Sequence, residues 1–226
     1  MNVFILNTGR CGSTTIIRAC QHIQNFSAAH ESRSTLLSSE RLNYPARHIE
    51  ADNRLVWFLG QLDEQYGDDA FYVHLVRERE ATVASYARRW GNRLTIVQAF
   101  GESVLMRRGN QLSDVEQLQI SADYYDAANA NIELFLKDKS KKMRIDLGNV
   151  QTDFQQFWQQ IGAEGDLSIA LQTLSEHFNS TETPTRNRMA EVPQQQQSSW
   201  WQQLQLRWAY KQAIYWTNFY FGRVRR

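Results

Sequence analysis

Cysteine is nearly absent: Cys11 and Cys20 are the only two in 226 residues. That is too few for a disulfide scaffold, and they stand at no metal-ligand spacing, so a reducing cytoplasm is the expected compartment. Surplus charge of one sign is also missing. A formal net charge of +1 excludes the global basic excess of a nucleic-acid binder and makes any anion recognition local. No run approaches the roughly 20 apolar residues that a membrane-spanning helix requires. The apolar start, residues 1–6, is too short for the apolar core of a signal peptide and reads as a first strand. No internal repeat is visible.

What is present suits one soluble domain over residues 1–226. Hydrophobic residues make up 42% and charged residues 22%, the balance of a globular chain with a substantial core. Val3-Phe4-Ile5-Leu6 has the pattern of a strand buried on both faces of a parallel sheet. Ile16, Ile17, Cys20 and Ile23 then recur at helical spacing over residues 13–23. Residues 26–54, rich in Ser, Arg, Glu, His and Asn with weak periodicity, read as exposed or site-lining loops with short helical pieces. Residues 71–76 form a second strand signal, which runs into a helix pattern carrying Val83, Tyr86 and Trp90.

Two strand-to-helix junctions predict an α/β fold, a mainly parallel sheet flanked by helices, with ligands at the carboxyl ends of the strands. Residues 113–136 read as a helix with Leu118, Ala122, Tyr125, Ala128, Ile132 and Phe135 on its apolar side. A solvated basic turn is expected at 137–142, a third strand at 143–147, and helices at 154–161 and 167–174. The Gln/Ser tract 194–199 is a short linker inside a C-terminal extension, 192–226, which reads as a long aromatic and basic helix.

The chemistry concentrates in Thr8-Gly9-Arg10-Cys11-Gly12-Ser13-Thr14-Thr15. Small residues between a buried strand and a helix let several backbone N–H groups face one anion, and the helix N-terminus adds partial positive charge. Gly9 and Gly12 permit close approach, Ser13, Thr14 and Thr15 add hydroxyls, and Arg10 supplies a permanent charge for a phosphate oxygen that gains charge as a bond breaks. A Walker A loop is excluded: only Arg10 and Cys11 separate the glycines, and no lysine follows. The dinucleotide fingerprint is absent, and a cysteine-phosphatase loop would need arginine where Ile17 stands. The plain alternative is a strand-to-helix turn with an N-cap serine.

This loop resembles the 5′-phosphosulfate-binding loop of the sulfotransferases that use 3′-phosphoadenosine 5′-phosphosulfate (PAPS), in the form with arginine where other members carry lysine. Leu75-Val76-Arg77-Glu78-Arg79-Glu80-Ala81-Thr82-Val83-Ala84-Ser85-Tyr86 resembles that family's 3′-phosphate segment. Arg77 would give a phosphate a forked donor set, and Ser85 would offer a hydroxyl to the same group; the plain alternative pairs Arg77 with Glu80 or Glu31 on the surface. The resemblance extends as far as about Trp90. The family's C-terminal nucleotide loop, Gly-x-x-Gly-x-Trp-Lys, is not recognisable, and Thr185-Arg186-Asn187-Arg188 is the candidate substitute.

The resemblance implies a P-loop NTPase-like sulfotransferase fold, PAPS as donor, and no metal. Gly9, Arg10, Cys11, Gly12, Ser13, Thr14, Thr15, Arg77 and Ser85 would bind the donor. The acceptor is a hydroxyl or amine on a glycan or small molecule, and the base is Glu31 or, after it, His30, with His48, Glu50 and Asp52 as rivals. Cys11, at a helix start, is either a reactive thiol or a structural loop residue. The C-terminal helix has two readings: packing on its own domain or a twin subunit, or peripheral membrane contact. An atypical phosphoryl-transfer enzyme and a catalytically silent nucleotide-binding or membrane-surface module remain the alternatives.

Overall fold

The first strand, β1 (Val3–Asn7), is buried along its whole length and sends alternate side chains to opposite faces of a sheet, Val3 and Ile5 to one core and Phe4 and Leu6 to another. In the computed structural model, residues 1–91, 95–107 and 112–179 are described, all within the unit Met1–Thr181. The expectations for residues 185–188 and for the extension 192–226 lie outside the described residues. The helices in order are α1 (Ser13–Cys20), α2 (Leu59–Tyr66), α3 (Arg79–Ala87), α4 (Ile96–Ala99), α5 (Asp114–Leu136), α6 (Val150–Gln160) and α7 (Leu167–Asn179). The other strands are β2 (Ser27–His30), β3 (His48–Ala51), β4 (Phe71–Val76) and β5 (Lys142–Asp146).

All pairings in the five-stranded sheet are parallel, in the order β2-β3-β1-β4-β5. Helices α1, α6 and α7 cover one face through Ile16, Phe154, Phe157 and Leu174. Helices α2, α3 and α5 cover the other through Leu62, Tyr86, Tyr124 and Ile132. The chain therefore leaves β1 towards one face and leaves its neighbour β4 towards the other. Such a divergence opens a crevice at the carboxyl ends of the two strands, where ligands of open α/β sheets bind. Among the described residues no helix is long and apolar enough to cross a membrane.

The expected α/β class, parallel sheet and strand-to-helix junctions are present, and three local expectations change. Residues 26–54 are not loops alone: they contain β2 and β3. β2 is a half-exposed edge strand of small residues, and β3 is buried although half of it is polar, because His48 Nε2 and Glu50 Oε2 meet at 2.9 Å and satisfy one another. The buried stripe of α5 is Ile120, Tyr124, Ala128, Ile132 and Leu136, a strict four-residue repeat, while Leu118 is exposed. The basic turn is not simply solvated, since Lys139 lies over the Phe135 ring and pairs with Asp63.

The stripe can be checked by substitution. Ile132→Ala, at a fully buried position, should cost about 2–5 kcal/mol in denaturant unfolding. Leu134→Ala, whose side chain is exposed, should stay within about 0.5 kcal/mol of wild type.

Candidate functional site

Where β1 ends, the Asn7 side chain turns back on the chain. Its amide donates to the Ile5 carbonyl at 2.9 Å, and its oxygen accepts the Gly9 N–H at 2.8 Å and faces the Cys11 thiol at 3.4 Å. Gly9, Arg10 and Gly12 then adopt φ values of 80°, 59° and 85°. A turn with left-handed residues can aim successive backbone N–H groups towards one side, the geometry from which anion-binding concavities are built. For Arg10, which has a Cβ, that conformation is strained.

The loop is held from behind. The Thr8 carbonyl accepts the Tyr124 hydroxyl at 3.0 Å and the Tyr86 hydroxyl as well. A Cβ on Gly9 would collide with the Tyr86 hydroxyl and come within 2.6 Å of Asn53 Nδ2, so glycine is required there for space as well as for φ.

Helix α1 starts at Ser13 with Gly12 as N-cap, no side-chain cap and no acid in its first turn. The first N–H groups of a helix have no partner within it, and their dipoles carry about half a positive charge. The N-cap serine alternative fails, because Ser13 Oγ lies 2.9 Å from His30 Nε2 instead of capping the helix.

Cations gather around this start. Arg10 Nε donates to Ser85 Oγ at 3.2 Å, and Arg77 Nη1 donates to the Arg10 carbonyl at 3.1 Å. The Arg77 carbonyl in turn accepts the Tyr125 hydroxyl at 2.9 Å. Burial, then the charge of Arg89, and further down that of Arg77 hold the Arg10 guanidinium below its ordinary value. Among the described residues none of the three arginines forms an ion pair with a carboxylate. Glu80 pairs with Arg79 and Glu31 with Arg54 instead, so the surface-pair alternative for Arg77 falls. Arg89, in the turn just past the end of α3, was missed in the sequence; its signal is its place four residues after Ser85.

On the other flank, the end of β2 brings His30 to the loop, with Nε2 also 3.5 Å from Thr14 Oγ1. Glu31 follows, its carboxylate 2.8 Å from Arg54 Nη1. The rival bases are engaged elsewhere. Glu50 is wholly buried and accepts from the Ser32 N–H at 2.8 Å, the Ser32 hydroxyl at 2.6 Å, and His48. Asp52 forms a buried 2.5 Å ion pair with Arg41 and accepts the Arg54 N–H. Arg41 and Arg54 line a cavity of about 970 Å³ together with Leu36, Leu37, Trp57 and Phe58.

Cys11 is fully buried, and burial pushes its thiol up to about 12. The reactive-thiol alternative is therefore disfavoured, because the thiolate is the nucleophile.

No family model and no curated protein matches the chain. Solved structures do. A sulfotransferase domain from the curacin biosynthetic pathway aligns with a TM-score of 0.54 at 14% identity, over 76% of this chain and 76% of that one. The mouse sulfotransferase SULT7A1, complexed with PAP, aligns with a TM-score of 0.57 at 12% identity, over 82% of this chain and 69% of that one. The chain has a sulfotransferase-like fold.

Both thiols are free and buried, and burial raises both. At pH 8 a thiol-reactive chromophore should leave native Cys11 and Cys20 unmodified and label both after denaturation. Rapid labelling of Cys11 in the native protein would refute its burial.

Proposed function

We propose that the protein transfers a sulfuryl group from PAPS to a hydroxyl or amine of a glycan or small-molecule acceptor. The observation that carries this reading is the cluster of Arg10, Arg77 and Arg89, without a carboxylate partner among the described residues, around a helix start with no side-chain cap. Like charges so placed repel each other and lose hydration, a cost that a bound polyanion offsets. A phosphate monoester carries about −1.5 to −2 near neutral pH, so a donor phosphorylated at two positions suits cations at two junctions. One is the turn from β1 to α1, and the other is the turn from β4 to α3.

In this reading the loop N–H groups, with Ser13 and Thr14, hold the 5′-phosphosulfate. Arg77, Ser85 and Arg89 hold the 3′-phosphate, and Tyr125 steadies the backbone of Arg77. Arg10 faces the 5′-phosphate. As the S–O bond to that phosphate breaks, its electron pair stays on the phosphate oxygen and Arg10 neutralises the charge, while sulfur forms a new bond to the acceptor's oxygen or nitrogen. The acceptor's proton passes to Glu31, oriented by Arg54, or to His30 at the mouth of the loop. The acceptor enters from the cavity beside Arg54, whose aliphatic and aromatic wall suits a molecule with an apolar body. Two buried free thiols suit a reducing, cytoplasmic setting.

A thermal-shift titration with 3′-phosphoadenosine 5′-phosphate against ADP and ATP at matched salt tests the donor. At 100 times its dissociation constant the 3′-phosphorylated nucleotide should stabilise wild type by about 2.7 kcal/mol. Arg77→Ala should lose that preference. An equal response to ADP and ATP would move the phosphoryl-transfer reading to the front, and no response to any of them would favour a module without this chemistry.

A further inference from the structure

Glu50 lies in the middle of β3, wholly buried, and takes no part in the chemistry described above. Its two carboxylate oxygens are nevertheless aimed at one residue outside the strand. Oε1 accepts the Ser32 backbone N–H at 2.8 Å and Oε2 accepts the Ser32 hydroxyl at 2.6 Å. His48 Nε2 approaches Oε2 at 2.9 Å, and His48 Nδ1 meets the Ser27 hydroxyl at 2.8 Å.

Ser32 is the residue directly after Glu31, where the chain leaves the sheet. Glu31 stands in the left-handed region with φ 51°, a strained conformation for a residue with a Cβ that persists only where the surroundings enforce it. Its own N–H is fixed to the Ala51 carbonyl at 3.0 Å. The two peptide units flanking Glu31 are thus both held, the one before it by the Ala51 carbonyl of β3 and the one after it by a buried carboxylate. A buried carboxylate is costly unless it is fully hydrogen-bonded, and here the compensating donors are those of the strained turn.

We propose that Glu50 is a positioning residue, gripping Ser32 so that Glu31 keeps its left-handed turn and, with His30 before it, faces the phosphate loop. This rests on the assignment of Glu31 or His30 as the base. Glu50→Gln keeps the size but puts a donating NH2 in place of one of the two accepting oxygens, so the Ser32 N–H and hydroxyl no longer each have an oxygen of their own, and Ser32→Ala removes the hydroxyl. Ser27→Ala cuts the same buried chain on the far side of His48 and leaves the grip intact.

The test measures release of sulfate from ³⁵S-labelled PAPS with water as acceptor, in the full chain, with donor affinity and melting temperature recorded for each variant. Glu50→Gln and Ser32→Ala should lower turnover about 10- to 100-fold at unchanged donor affinity. Their combination should fall no further than the worse of the two, and Ser27→Ala should turn over like wild type. Full turnover in Glu50→Gln, or an equal loss in Ser27→Ala, overturns the proposal and leaves a purely stabilising role. A wild type that neither binds nor cleaves the donor overturns the functional reading instead, and this proposal with it.

Discussion

A loop that turns left-handed at a residue with a Cβ cannot hold that shape by itself, and the carboxyl end of β1 is arranged around that constraint. The loop after β1 turns left-handed at Gly9, Arg10 and Gly12, so its conformation has to be enforced from outside. Asn7 takes up the Gly9 N–H from one side, and the hydroxyls of Tyr86 and Tyr124 converge on the Thr8 carbonyl from the other. Those tyrosines sit on α3 and α5 and belong to the core of one sheet face. Packing energy is thereby converted into a fixed loop geometry, the condition for electrostatic stabilisation without reorganisation.

The sheet supplies the second half of the arrangement. Because β1 and β4 are neighbours whose chains depart to opposite faces, Arg10 and Arg77 reach one crevice from separate directions. Among the described residues neither rests on a carboxylate. Arg10 donates to a serine hydroxyl and Arg77 to a backbone carbonyl, neutral partners that compete weakly with a phosphate, since hydrogen bonds between two charged groups are stronger.

Much of this was legible from residues alone, because glycine spacing, buried apolar strands and helix periodicity are local signals. The strand-loop-helix at residues 3–20 and the junction at Arg77 are of that kind. β2 and β3 were not legible: Ser27-Ala28-Ala29-His30 offers little β propensity, and His48-Ile49-Glu50-Ala51 alternates polar and apolar residues while being buried throughout. The pairing of His48 with Glu50, together with the donors of Ser32, makes that burial affordable, and contacts of that kind leave no mark on hydropathy. The interior partners of the rival bases were hidden for the same reason. Glu50 and Asp52 look like free acids in sequence, whereas each is bound in the interior. Arg89 could have been found, since it stands four residues after Ser85.

The Arg41–Asp52 pair has a consequence for how the cavity beside the loop can diversify. Its side chains are 5% and 0% exposed, and removing one member of a buried pair strands the other charge, typically at 3–5 kcal/mol. That wall resists stepwise drift, because a single change there strands a buried charge before it yields a new shape. The opposite rim is free of this lock: Leu37 is 80% and Trp57 44% exposed, and changes at such positions cost little. Over evolutionary time, selectivity for what the cavity admits would therefore migrate along the rim while the charged wall stayed frozen.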